Sequence, residues 1–166
     1  MILFSKAKKI SNKIFSNQII GYLVLAFLAW YISDNWWQLA LVQGNSMTPT
    51  YKNGAVLLLD KRTDEFKQGD VIAFYSDELE VMLVKRIVGL PGDTVQVVDG
   101  VLYVNTKLSD HQRKEERIIY AGISESPVCL KENEYFVLGD NYTESKDSRY
   151  EEIGCVLKDQ IIGKVL

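Results

Sequence analysis

Ser46 and Lys85 are the residues of this chain whose types and settings could support covalent chemistry. A serine hydroxyl is a weak nucleophile until a base takes its proton, and where imidazole is missing a desolvated lysine amine can serve. The single histidine, His111, lies in the most polar stretch of the chain, where a solvated side chain is the better reading. The pair therefore points to a serine–lysine hydrolase.

Each partner stands in its own cluster. Ser46 lies in Gly44-Asn45-Ser46-Met47-Thr48-Pro49, residues that turn the backbone sharply and can leave the Ser46 N–H, helped by Asn45, as an oxyanion donor. Lys85 follows the apolar run Val81-Met82-Leu83-Val84 and precedes Arg86-Ile87-Val88. Strand alternation places it on one face with Val81, Leu83 and Ile87, and that face is either solvated or buried. Burial would lower the amine's pKa by stripping water from its charged form. A third cluster runs from Gly139-Asp140-Asn141 to Asp147-Ser148-Arg149 and is dense in groups that hydrogen-bond or ion-pair. Taken singly, each cluster also reads as an ordinary turn or edge-strand feature.

The elements that must position these residues are mostly strands. Runs at 55–59, 71–75, 81–84, 94–98 and 101–104 are rich in β-branched and aromatic residues and end in turn formers, with further strands expected at 135–138 and 161–166. Asp99-Gly100 predicts a two-residue hairpin with positive φ at both positions. Close spacing with few helical patterns predicts a mainly β fold, an antiparallel sheet coiled into a partly open barrel. The segment 106–127, which contains His111, reads as an exposed excursion.

Ahead of this domain, Lys6, Lys8, Lys9 and Lys13 precede an uncharged stretch over 14–33, long enough at about 1.5 Å per residue to span a roughly 30 Å hydrocarbon layer. Trp30, Tyr31, Trp36 and Trp37 gather where an aromatic belt would lie. The expected organisation is a basic cytoplasmic segment at 1–13, a transmembrane helix at 14–37 and an extracytoplasmic catalytic domain at 38–166. No small-x-small cleavage site follows the apolar run, which argues against a removed leader. Cys129 and Cys155 would share the outer compartment, either bridged or as free thiols. A net charge of −3 with no basic cluster beyond the N-terminus argues against a general nucleic-acid binder. No metal-ligand cluster is legible, and no cofactor is implied.

Together the three clusters resemble those of type I signal peptidases: Ser46-Met47-Thr48-Pro49-Thr50, then Lys85 to Asp93, then Gly139 to Arg149, in that order behind an N-terminal anchor. The resemblance implies Ser46 as nucleophile, Lys85 as general base and Ser145 as a hydroxyl holding the lysine ammonium. It implies bracing by Arg86, Asp140, Asn141, Asp147 and Arg149, with Met47 and Pro49 beside the substrate. The implied partners are the signal peptides of exported preproteins, the lipid bilayer and the export machinery. The implied site is the outer face of the inner or plasma membrane, with cleavage after small residues. One departure stands out: many relatives carry a hydroxyl donor two residues before the nucleophile, where this chain has Gly44. Two alternatives remain at this stage, a dedicated maturation peptidase of a secretion, pilus or conjugation system and an inactive module that binds export signals.

Overall fold

The computed structural model describes residues 18–31, 35–112 and 116–166. Two compact units divide at Trp36/Trp37. In the first, residues 18–31 are helical and exposed throughout, with Phe27 against the rings of Trp30 and Tyr31. Among the described residues no helix is long and apolar enough to cross a membrane. Part of the span expected at 14–37 lies outside the described residues, and its last residue, Trp37, opens a strand instead.

The second unit, Trp37–Leu166, is built from two antiparallel sheets. Its strands are β1 (Trp37–Leu41), β2 (Val56–Asp60), β3 (Val71–Ser76), β4 (Val81–Gly89), β5 (Thr94–Val98), β6 (Val101–Val104), β7 (Lys107–Leu108), β8 (Val128–Cys129), β9 (Glu134–Leu138), β10 (Val156–Leu157) and β11 (Ile161–Val165). The larger sheet runs β1-β2-β11-β3-β4-β9-β10 and the smaller β7-β6-β5-β8. Neither sheet closes on itself: the expected mainly β, antiparallel fold is present as two sheets, with no closed barrel.

Alternation explains why these segments pair. In β5, Val95 and Val97 are buried while their neighbours reach solvent, and in β6 Leu102 and Val104 do the same. The β5–β6 hairpin turns at Asp99 (φ 50°) and Gly100 (φ 76°), the two positive-φ positions expected there. By contrast β3 is buried on both faces at Val71–Phe74, and β9 at Tyr135–Leu138, as strands at the centre of a two-sided core must be. One core cluster joins β5 and β6 to Phe136 and Leu138 of β9. A second packs Met47 against Leu57, Leu59, Val71 and Ala73.

The sheet order is what assembles the site. β4 lies between β3 and β9, with Ile72 opposite Lys85 and Leu138 opposite Arg86. The end of β9 therefore releases the Gly139–Arg149 segment beside the two basic residues of β4. Pairing of β9 with β4 begins at Arg86, which leaves Val81–Val84 bonded on one side only, to β3.

Candidate active site

Ser46 sits in the loop between β1 and β2. The ladder continues beyond Leu41 through Val42 N–H to Ala55 O and Gly54 N–H to Val42 O, both 2.8 Å, and Asn53 Oδ1 then accepts from Gly44 N–H at 3.0 Å. Gly44 has φ +86°, a left-handed conformation that a β-carbon disfavours. The missing hydroxyl at that position thus has a backbone reason. Past Ser46 the chain turns tightly, with Thr48 N–H on Asn45 O at 3.0 Å and Tyr51 N–H on Met47 O at 2.9 Å. The Met47 side chain, fully buried, plugs this turn into the core.

Lys85 lies on the buried face of β4, only 3% exposed. Its Nζ is hydrogen-bonded to Ser46 Oγ at 2.8 Å. Loss of hydration pulls its pKa from 10.5 down to about 8; Asp147 draws it upward, Arg149 pushes it down and Asp140 draws it upward. Of the two faces that alternation allows, Lys85 takes the dry one. Its neighbour Arg86 faces the other way. Arg86 forks onto Asp140 through Nε and Nη2 at 2.7 and 2.6 Å and donates from Nη1 to Gly69 O at 2.7 Å. Asp140 also accepts from the Thr50 hydroxyl. Arg86, Asp140 and Thr50 thus tie together the three segments that carry the site.

The third segment is braced from inside. Asp147 and Arg149, both 0% exposed, form a two-bond fork at 2.7 and 2.9 Å. Asp147 Oδ2 accepts from Gly139 N–H at 3.0 Å, and Arg149 donates to the carbonyls of Tyr142, Ser145 and Tyr120. Asn141 contributes through its backbone: its N–H donates to Ser46 O at 3.0 Å, while its side chain accepts from Thr143. Gly139 is required where it stands, because a β-carbon there would lie 2.5 Å from Ser46 O and 2.6 Å from Ser145 Cβ.

Three expectations change. Ser145 is buried, but its hydroxyl has no hydrogen-bond partner among the described residues, so the expected bond to the Lys85 amine is not made. The hydroxyl is instead turned onto the bare Cα of Gly139. Pro49 does not border the nucleophile's groove; it lines a separate cavity of about 240 Å³ with Thr50, Arg86, His111, Asp140 and Tyr142. His111, expected as solvated surface, faces that cavity and packs on Gly69, and burial lowers its pKa. Both cysteines are free thiols; Cys129 is exposed, and burial raises Cys155 to about 11.

Ser46 and Lys85 open into a groove of about 300 Å³ between the end of β1 and the unpaired edge of β4. Leu41, Gln43, Met82 and Val84 line it, with Met47 beneath. None of the four groove residues was legible as functional. Their signal is tertiary, since they share a groove only because β1 and β4 approach across the sheet. Thr50 and Gly139 lay inside recognisable clusters, but their roles depend on contacts the sequence does not display.

An open apolar groove in an antiparallel β scaffold, with a serine hydroxyl bonded to a buried amine, defines a hydrolase of the serine type. The particular family follows from comparison. The chain belongs to the signal peptidase family, peptidase S26, whose family model matches residues 15–166, and it is a serine endopeptidase. It is 37% identical over 155 residues to signal peptidase I of Bacillus licheniformis, covering 87% of this chain and 78% of that one. It is 32% identical over 171 residues to signal peptidase I P of Bacillus subtilis subsp. natto, covering 97% and 91%. A solved signal peptidase I from Enterococcus faecalis aligns with 61% of this chain and 97% of its own at 34% identity and a TM-score of 0.47.

Proposed function

We propose that the protein cleaves signal peptides from exported preproteins through a Ser46–Lys85 dyad. The 2.8 Å bond between a serine hydroxyl and an amine almost wholly out of water carries this reading. In its neutral form Lys85 Nζ takes the Ser46 proton as Oγ attacks the scissile carbonyl carbon. Collapse of the tetrahedral adduct breaks the C–N bond, and the Lys85 ammonium gives its proton to the leaving amine. A water then gives a proton to the again neutral Lys85 Nζ as its oxygen attacks the acyl carbon, and collapse breaks the C–Oγ bond, with the Lys85 ammonium returning that proton to Ser46 Oγ. The Ser46 N–H, with Asn45 nearby, is the oxyanion donor that replaces a side-chain hydroxyl at Gly44.

The substrate lies extended in the groove between β1 and Val81–Val84, completing the open edge of β4 by backbone hydrogen bonds. The groove is small, in keeping with short side chains before the cut. Residues 1–13 lie in the cytoplasm, the uncharged stretch over 14–33 crosses the membrane and the β unit from Trp37 onward works on the outer face, where export machinery delivers the preprotein. The uncharged stretch over 14–33 and the lysines that flank only its leading end support this topology. Ser46→Ala and Lys85→Met, each in the full chain in vesicles, should abolish cleavage of a preprotein. Activity retained in either variant rejects the dyad.

A further inference from the structure

Arg149 is gripped from outside the three clusters. Its guanidinium Nη1 donates to Tyr120 O at 3.1 Å, and its own carbonyl accepts from Ile123 N–H at 2.9 Å. Between these two bonds lies Gly122, at φ +54°. A β-carbon at Gly122 would overlap the Arg149 carbonyl oxygen and come within 2.8 Å of its carbonyl carbon. The backbone of Gly122 is therefore pressed onto that of Arg149 with no room for a side chain.

The grip has a rigid base. Gly122–Glu125 is a single 3-10 turn, closed by Ser124, whose N–H and hydroxyl both donate to Ala121 O at 3.1 and 2.6 Å. Ser124 is fully buried. Ala121 and Ile123 pack on the cluster that contains Val95, Val97 and Leu102, and Gln96 of β5 donates to Glu125 O at 3.2 Å. The turn is thereby fixed to the small sheet, while Arg149 belongs to the loop that follows β9 of the large one.

We propose that Gly122 and the turn it opens are positioning elements for catalysis, holding Arg149, and through it Asp147, in register with the Ser46–Lys85 pair. The inference rests on the peptidase reading above. Among the described residues the charged groups acting on Lys85 are Asp147, Arg149 and Asp140. Arg149 and Asp147 oppose each other there, and their fork keeps the two charges together. When Arg149 moves off, its repulsion of the Lys85 ammonium weakens while the Asp147 carboxylate, less neutralised, holds that ammonium more strongly. The base then needs a higher pH to lose its proton.

The test uses the full chain in vesicles and a preprotein substrate, comparing Gly122→Ala and the milder Ile123→Ala with Val97→Ala. The last removes volume from the cluster on which the turn packs and leaves the turn's own residues unchanged. In Gly122→Ala and Ile123→Ala the acid limb of kcat/KM should move up by about half a pH unit or more, a roughly threefold loss of neutral amine at pH 7. Val97→Ala should lower thermal stability and leave the limb in place. If Gly122→Ala does not fold, Ile123→Ala decides. A folded turn variant whose limb coincides with wild type, or an equal shift in Val97→Ala, overturns the positioning role. Wild-type protein that fails to cut any preprotein overturns the peptidase reading instead, a separate outcome.

Discussion

Lys85→Met should inactivate the protein and stabilise it. At pH 7 a folded-state pKa of about 8 against 10.5 for an ordinary lysine means that folding pushes a proton-binding group into an environment hostile to its charge. At about 1.36 kcal/mol per unit, the difference amounts to roughly 3 kcal/mol. The sign follows from proton counts. Below pH 8 both folded and unfolded chains hold the proton, and the folded state bears the full cost. Between 8 and 10.5 the unfolded chain binds more protons, so stability rises with pH, and above 10.5 the cost is gone. Methionine matches the length of the lysine stem and carries no charge, while the Ser46 hydroxyl, half-buried at the groove, turns to water at about 1 kcal/mol. The variant should therefore exceed wild type by about 2 kcal/mol at pH 7, and the gap should shrink by about 2 kcal/mol by pH 9.5. Urea unfolding of the full chain in mild detergent, followed by tryptophan fluorescence at several pH values, measures both quantities. A variant no more stable than wild type at pH 7, or a gap independent of pH, refutes the claim that Lys85 is held dry against its charge.

The same amine sets the rate. Below pH 8, kcat/KM should rise about tenfold per pH unit and level off above it; a profile flat from pH 6 to 9 contradicts a lysine base. Asp147→Ala leaves Arg149 buried without its carboxylate and should cost about 3–5 kcal/mol, read as a lowered unfolding midpoint or loss of folded protein, whereas unchanged stability would show the fork to be dispensable. Gly139→Ala drives a methyl against Ser46 O and Ser145, and a displacement near 1 Å at the nucleophile should lower kcat by about 10²-fold in single-turnover assays; near-wild-type turnover would mean that the loop yields freely. A maleimide at pH 8 should label Cys129 and leave Cys155 largely unmodified, as mass spectrometry of the intact chain will show; equal labelling of both contradicts the burial of the second thiol.

What the sequence displays and what it hides divide along the range of the interactions involved. The Asp99-Gly100 hairpin and the valine alternation of β5 and β6 are local, and they read directly. The two-residue strands β7, β8 and β10 do not, since alternation needs several residues to show itself. In β4 the apolar run shows only 81–84, and alternation extends the strand through Lys85 to Ile87 without choosing its buried face; pairing with β3 and β9 makes that choice and carries the strand on to Gly89. At the site, Ser46, Lys85 and the acidic loop stand out as residue types. Their meeting does not, because it depends on β9 ending beside Arg86 and on β1 delivering its loop to β4. His111 was misread for the same reason: its packing on Gly69 is a contact across more than forty positions of chain.

The adjacent cations of β4 show how one strand can hold a permanently charged group beside one that can give up its charge. Arg86 cannot discard its proton, so it is given a carboxylate at 2.6–2.7 Å and a carbonyl. Lys85 can, and the surroundings are arranged to let it. Two carboxylates pull its pKa upward, but Asp140 is forked by Arg86 and Asp147 by Arg149, so neither presents an uncompensated charge to the amine. Desolvation is then the largest influence left, and it points downward. The two arginine–carboxylate forks, one fully buried and one partly so, are therefore more than struts for loops. Each removes a counter-charge that would otherwise keep Lys85 protonated, and a base at the foot of the groove exists because both acids near it already have partners.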